Sequence, residues 1–249
     1  MGRRARGEKG TRQDAAGAMP QADRERDLRS YGRRRGRKLS PRRAALMEDA
    51  LPPIAIPLSQ PAPAEPGELF AAPVLEVWLE IGFGGAEHLI WQARANPRVG
   101  IIGCEPFQDG VAKALSAIGE ANLANVRIHG DDARPLLRWL PHAAIARTFI
   151  LFPDPWPKRR HHKRRLVSQA TLAELARVMR PGAELRVATD IGAYARAILL
   201  AVRQQQSFRW TAEGPADWRE RGADWPTTRY EEKALTAGRR CTFFRFRRV

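Results

Sequence analysis

Cysteine is nearly missing from this chain: Cys104 and Cys241 are the only two among 249 residues. Two thiols cannot build a disulfide framework, and neither has a partner at metal-ligand spacing. The five histidines are also spaced unlike ligands, so no metal is expected, and His161-His162 reads as part of a basic face. Long apolar runs are absent. None approaches the ~18–20 residues that span a bilayer, and no basic stretch carries the bulky apolar face of a membrane-surface helix. The opening Met-Gly-Arg-Arg leads into no hydrophobic segment of a secretory signal. These absences predict a cytoplasmic protein with no membrane partner, and a monomer is the default. Acidic charge is scarce too, with 27 Asp and Glu against 43 Lys and Arg, a net of +16. That balance is silent on fold but favours a polyanionic partner, nucleic acid before membrane. No internal repeat is present.

What the chain does contain falls into three compositional parts. Residues 1–43 hold 15 Lys and Arg against 5 Asp and Glu, a net of +10. They have almost no large apolar side chains, which predicts a basic, largely disordered tail through about residue 28. The denser stretch Ser30–Arg43 reads as an arm that orders on a ligand, or as a solubilising tail. Residues 44–73 are Pro- and Ala-rich from Pro52, a linker or lid. Residues 74–249 read as one α/β domain. Strand-like runs at 74–81, 99–104, 125–129, 146–152 and 184–188 alternate with helix-like stretches at 86–95, 108–118, 133–140, 167–179 and 193–206. That alternation predicts βαβ units and a parallel sheet covered on both faces. Arg180-Pro181-Gly182 reads as a helix stop. After a Gly/Pro/Trp-rich loop from Gly214 to Pro226, Cys241–Arg247 alternates in its last part like an edge strand.

The densest chemistry lies in Phe152-Pro153-Asp154-Pro155-Trp156-Pro157-Lys158. An apolar strand ends there, its prolines forbid further ladder pairing, and a carboxylate and an indole stand at a strand's carboxyl end. Open α/β sheets keep their ligands at such ends. The cationic run to Arg165 follows at once, so a planar base with its phosphates fits the site. Leu79-Glu80-Ile81-Gly82-Phe83-Gly84-Gly85 lies between the first strand and helix. Gly82 and Gly84 allow a tight turn and a close ligand, but the full dinucleotide pattern G-x-G-x-x-G is missing. Glu80 and Glu87 flank the turn, where acid repels phosphate and attracts a cation. Glu105 ends the second strand, in the place of a ribose-gripping carboxylate. Asp131 and Asp132 end the third, placed for an adenine amino group, although Asp132 also suits an N-cap. Glu80, Glu105, Asp132 and Asp154 thus close four successive strands. A crevice rich in acids suits S-adenosylmethionine, which carries a sulfonium, an ammonium and no phosphate. Trp156 reads equally as a base-stacking platform or as an anchor behind the turn.

LEIGFGG, GCEP, HGDDA, FPDPWPK with HHKRR, ATD and TRYE occur in the order and spacing of bacterial tRNA (guanine-N7-)-methyltransferases, which the chain resembles over about residues 74–249. The resemblance implies a class I S-adenosylmethionine-dependent methyltransferase of Rossmann-like α/β fold, with a mostly parallel seven-stranded sheet. It implies methyl transfer to N7 of guanosine 46 in the tRNA variable loop. Carried over by motif, it makes Asp154 the catalytic residue. Glu80, Gly82, Gly84, Glu105 and Asp132 become cofactor contacts. Lys158, Asp190, Thr228, Arg229, Tyr230 and Glu231 become substrate contacts. From their charge and position alone, Arg159, Arg160, Lys163, Arg164 and Arg165 read as phosphate contacts. Asp190 also reads as a cap of the helix after it, and Thr228 with Glu231 has capping-box spacing. Two other readings compete: an amino-methylating nucleic-acid enzyme, which wants two prolines directly after its polar residue, and a non-catalytic RNA-binding module on the same fold.

Overall fold

The computed structural model describes residues 34–36 and 38–249. The disorder expected through residue 28 lies outside the described residues. Seven strands form one sheet: β1 Glu76–Ile81, β2 Val99–Cys104, β3 Val126–His129, β4 Ile145–Leu151, β5 Met179–Thr189, β6 Phe208–Trp210 and β7 Thr242–Arg248, in the order β3-β2-β1-β4-β5-β7-β6. The first five are parallel, and β7 runs antiparallel to both β5 and β6. The chain leaves β1 to build β2 and β3 on one side, then returns past β1 to lay down β4 and β5 on the other. A reversal of this kind opens a crevice at the strands' carboxyl ends.

The helices are α1 Pro41–Ala45, α2 Glu87–Ala95, α3 Gln108–Glu120, α4 Ala133–Trp139, α5 Gln169–Val178, α6 Gly192–Gln205, α7 Ala216–Arg219 and α8 Arg229–Thr236. Side chains alternate across the sheet, and two apolar layers result. Val77, Leu79 and Ile81 of β1 join Leu136 of α4, Leu172 of α5 and Ile198 of α6 on one face. Trp78 of β1 and Phe149 of β4 join Leu89 of α2, Val111 of α3 and Ala234 of α8 on the other. β2 is buried along its whole length, as a central strand covered on both faces must be. Residues upstream of β1 add to these layers. Ile56 and Phe70 are buried in the first cluster, and the Ile56 N–H donates to the Ile128 carbonyl at the β3 edge.

Two expectations are corrected. Cys241–Arg247 was expected as an edge strand, yet β7 lies inside the sheet between β5 and β6. The edge is the three-residue β6, too short to carry a periodic signal. The helix does stop before Pro181, but Arg180-Pro181-Gly182 lies within β5. Met179 pairs with Ile145, and the ladder resumes at Glu184 opposite Arg147 after a register shift. The intervening residues bulge, which accommodates a proline without an N–H and a Gly182 at positive φ.

Candidate active site

The glycine turn after β1 is drawn tight by Glu105. Gly82 and Gly84 take φ of 79° and 54°, conformations that cost glycine little. The Gly84 N–H donates to Glu105 Oε2 at 2.8 Å, and the Phe107 N–H donates to Oε1 at 2.9 Å. One buried carboxylate therefore ties the turn to the start of α3. Gly110 of α3 packs so closely that a Cβ there would meet the Gly84 carbonyl oxygen at 2.4 Å. Burial pushes the Glu105 carboxyl up, its two N–H donors pull it back, and the nearby charges of Asp154 and Glu80 raise it further. Glu80, Glu105 and Asp154 therefore share one electrostatic neighbourhood. The buried Cys104 thiol beside them is raised well above its ordinary value by burial, and next by Asp132, Glu105 and Asp131. The four acids stand at or just beyond the carboxyl ends of the adjacent strands β3, β2, β1 and β4.

They are not equally available. Glu80 is buried against His88, whose Nδ1 lies 2.7 Å from Glu80 Oε2. Asp132 is the N-cap of α4: Oδ1 accepts the Arg134 N–H at 2.8 Å and Oδ2 pairs with the Arg134 guanidinium at 3.0 Å. Its neighbour Asp131 pairs with Arg34 at 2.6 Å. Asp154 is exposed on its loop, and partial desolvation raises its carboxyl from the ordinary aspartate value.

The loop carrying Asp154 is strained on both sides. Phe152 and Trp156 take φ of 50° and 42°, left-handed values that bulky residues seldom adopt and that cluster at functional sites. The segment whose prolines end the ladder is thus bent at each end. The following run forms a 3₁₀ helix, Arg159–Arg164. Arg164 lies 5.0 Å over the Trp156 ring, and His161 meets its edge at 5.8 Å. Trp156 is therefore held from the basic turn rather than from the core.

Lys158, Arg159, Arg160 and Lys163 are exposed. Arg165, expected with them as a phosphate contact, is not: it is 7% exposed, and its Nε donates to the Pro155 carbonyl at 2.9 Å. Its guanidinium stacks 4.8 Å over Tyr194. A cation with those partners braces the Asp154 loop and does not face a polyanion. Tyr194 is fully buried, its oxygen accepts the Val167 N–H, and burial pushes its hydroxyl up to about 12.

The residues expected on the substrate side come from distant sequence. Thr228 caps α8 by accepting the Glu231 N–H at 3.3 Å. The reciprocal bond of a capping box is replaced, because Glu231 Oε1 pairs with Arg221 Nε at 3.1 Å. Glu231 Oε2 is buried without a hydrogen-bond partner among the described residues. The Tyr230 ring packs against Gly84, and Arg229 faces Glu87 at 3.9 Å, so α8 begins directly over the glycine turn. Asp190 pairs with Arg239 at 2.6 Å and leaves the N-cap of α6 to Ile191. Asp190 and Glu231 share surroundings as well: burial raises the Cys241 thiol to about 11, and both acids add to that shift. Sequence reasoning passed over His88, Arg221 and Tyr194, which hold Glu80, Glu231 and the Asp154 brace. Only His88, one helical turn past the glycines, carries a local hint. Among the described residues no group of three or more His, Cys, Asp or Glu could hold a metal ion, and no helix is long and apolar enough to cross a membrane.

Comparison with known proteins gives the family and the fold of the chain. The methyltransferase family model Methyltransf_4 matches residues 75–244. A tRNA (guanine-N(7)-)-methyltransferase of Rhodospirillum rubrum is 50% identical over 233 residues, covering 92% of this chain and 91% of the relative. One from Rhizobium meliloti is 46% identical over 219 residues, covering 88% and 94%. Among solved structures, the 16S rRNA methyltransferase KamB aligns with a TM-score of 0.50 at 16% identity, over 70% of this chain and 89% of that one. At that identity the likeness concerns the fold alone.

Proposed function

Because this chain belongs to the tRNA (guanine-N7-)-methyltransferase family, we propose that it methylates guanine N7 in tRNA, at guanosine 46 of the variable loop, with S-adenosylmethionine as donor. The observation that carries the reading is the sheet order, which sets the carboxyl ends of β2, β1 and β4, with Glu105, Glu80 and Asp154, side by side next to the strained Phe152–Trp156 loop. A crevice of carboxylates around a glycine turn fits a cationic cofactor better than a phosphate-bearing one. Residues 74–249 are assigned as the methyltransferase domain, residues 1–43 as a basic tail and 44–73 as a linker or lid anchored on that domain by the buried Ile56 and Phe70.

Bound S-adenosylmethionine supplies an electrophilic methyl group on a sulfonium. Glu80, Glu105 and Asp132, with the backbone of Gly82 and Gly84, would hold it. Glu231 Oε2, buried and unpaired among the described residues, is an acceptor ready for an N–H of the cofactor or the guanine. Guanine N7 has a lone pair and no proton, so no side chain needs to act as a general base. The protein's work is alignment, which at best is worth about 7–11 kcal/mol, and electrostatics. Asp154 stands where a carboxylate stabilises positive charge developing on the purine. It can also accept from the guanine N1–H and amino group. Lys158, Asp190 and the Thr228–Glu231 turn face the substrate in this reading. Arg159, Arg160, Lys163 and Arg164 supply phosphate contacts, and Arg165 is withdrawn from that set.

Incubating the protein with tRNA and methyl-labelled S-adenosylmethionine, then digesting to nucleosides, tests the proposal. Label is expected in 7-methylguanosine, and an unmethylatable base at position 46 abolishes it. Label on adenine, on an exocyclic amine or on protein, with none on guanine N7, overturns it.

A further inference from the structure

Behind Glu80 runs a buried polar chain with no assigned role. Glu80 and His88 are each 2% exposed. His88 Nδ1 lies 2.7 Å from Glu80 Oε2, and its Nε2 lies 3.1 Å from Gln92 Nε2. Gln92 Nε2 donates to the Asp224 carbonyl at 3.0 Å. Asn96 Nδ2 donates to the Gln92 backbone carbonyl at 2.9 Å and to Gln92 Oε1 at 3.2 Å.

The partners dictate where each proton sits. A backbone carbonyl can only accept, so the Asn96 atom facing the Gln92 carbonyl is its NH₂. The Gln92 atom that meets this NH₂ must be oxygen, and the atom facing Asp224 must be nitrogen. Gln92 therefore donates to His88 Nε2, which accepts and bears no proton. The imidazole's single proton is on Nδ1 and goes to Glu80. The ring is held between Phe149, at 4.6 Å, and Trp225, at 6.2 Å. A neutral partner matters. An imidazolium would cancel the charge of Glu80, whereas a neutral N–H orients the carboxylate and leaves its charge intact. Outer partners of this kind commonly tune a ligand-binding group.

We propose that His88 is a positioning residue: locked as the neutral Nδ1–H tautomer by Gln92, Asn96 and the Asp224 carbonyl, it fixes the Glu80 carboxylate to receive a cationic group of the cofactor. With Oε2 taken, Oε1 is the oxygen left for that ligand. Asp224 lies on the loop that runs into Thr228–Glu231, so the same chain ties the cofactor side of the crevice to the substrate side. The proposal rests on the reading of Glu80 as a cofactor contact.

Calorimetry with S-adenosylmethionine on the full chain, together with steady-state kinetics on tRNA, provides the test. His88→Asn puts an amide N–H near the Nδ1 position, and His88→Gln puts one near Nε2. His88→Asn should stay within about threefold of wild-type affinity. His88→Gln should lose about tenfold or more, with KM for the cofactor rising and kcat at saturation nearly unchanged. A merely structural histidine would lower affinity and melting temperature in parallel for both variants, and that result rejects the proposal. On the wild-type protein, ¹⁵N spectra of His88 should show the Nδ1–H tautomer; the Nε2–H form would reject it without any variant. If Glu80→Gln leaves affinity unchanged, the reading of Glu80 fails and the proposal falls with it. If Glu80→Gln weakens binding and neither His88 variant does, the proposal alone falls.

Discussion

Asp154 joins an exposed position to a carboxyl raised by partial desolvation. In the proposed reaction its ionised form is the one that stabilises a cationic purine, so kcat should fall as pH drops through a value above the ordinary aspartate range. Asp154→Asn should flatten that acid limb and lower kcat by about 10²-fold or more, with cofactor affinity retained. Stability runs the other way. A carboxyl whose folded pKa is raised contributes stability that is full below the unfolded value, ~3.9, and is lost as pH rises through the folded value. The Asn variant should therefore melt slightly higher than wild type at pH 7–8, and the gap should narrow toward pH ~4. Asp154, Glu80 and Glu105 were legible because each stands at the end of an apolar run, beside prolines or glycines. Asp132 was legible in two ways, as ligand and as cap, and the cap is the bond that is formed. Its capping bond follows from local geometry alone, two residues away.

The elements that carry these residues are held by contacts of different kinds. Arg165 clamps the Asp154 loop from within, while Arg159 and Arg160 lie outside on the 3₁₀ turn. Arg165→Ala removes a charge-assisted buried bond and should cost about 1.5–3 kcal/mol in thermal or denaturant melts. It should lower kcat and leave the salt dependence of tRNA binding unchanged. Replacing Arg159 and Arg160 with Ala should do the reverse: melting is unaffected, tRNA affinity drops, and the logarithmic salt slope flattens by roughly one per lost phosphate contact. An unchanged slope would show that the pair faces solvent only. At the opposite side of the crevice, α3 sits against the glycine turn through Gly110. Gly110→Ala forces a side-chain Cβ against the Gly84 backbone carbonyl. Overpacking of that sort costs about 1–3 kcal/mol, and cofactor affinity measured by calorimetry should fall with stability because the turn itself must move. One run of eight basic and histidine residues thus splits into inward and outward members. Sequence shows the charge, and only the turn's geometry shows its direction.

At the scale of the whole molecule, the sheet order puts the ends of β2, β1, β4 and β5 side by side, and α8 reaches back from the far end of the chain to cover the β1 turn. Residues before β1 contribute as well. Phe70 is buried in the core cluster and lies beneath the Arg127 guanidinium at 5.2 Å, so Phe70→Ala should cost about 3–5 kcal/mol, read from denaturant unfolding. A loss below ~1 kcal/mol would place that segment outside the folded core. The net charge of +16 acts at this scale too, as a field that favours a polyanion whatever the fold. The sequence by itself determined the alternation of strands and helices, the glycine turn, the strand-end acids and the cationic run, because each depends on neighbours within a few residues. Tertiary structure alone decided that Arg165 turns inward, that Glu231 pairs with Arg221 rather than with its own cap, that His88 stands behind Glu80, and that the last strand lies inside the sheet. Those outcomes join residues through the sheet order and the packing of separate elements, and periodicity along a chain carries no record of either.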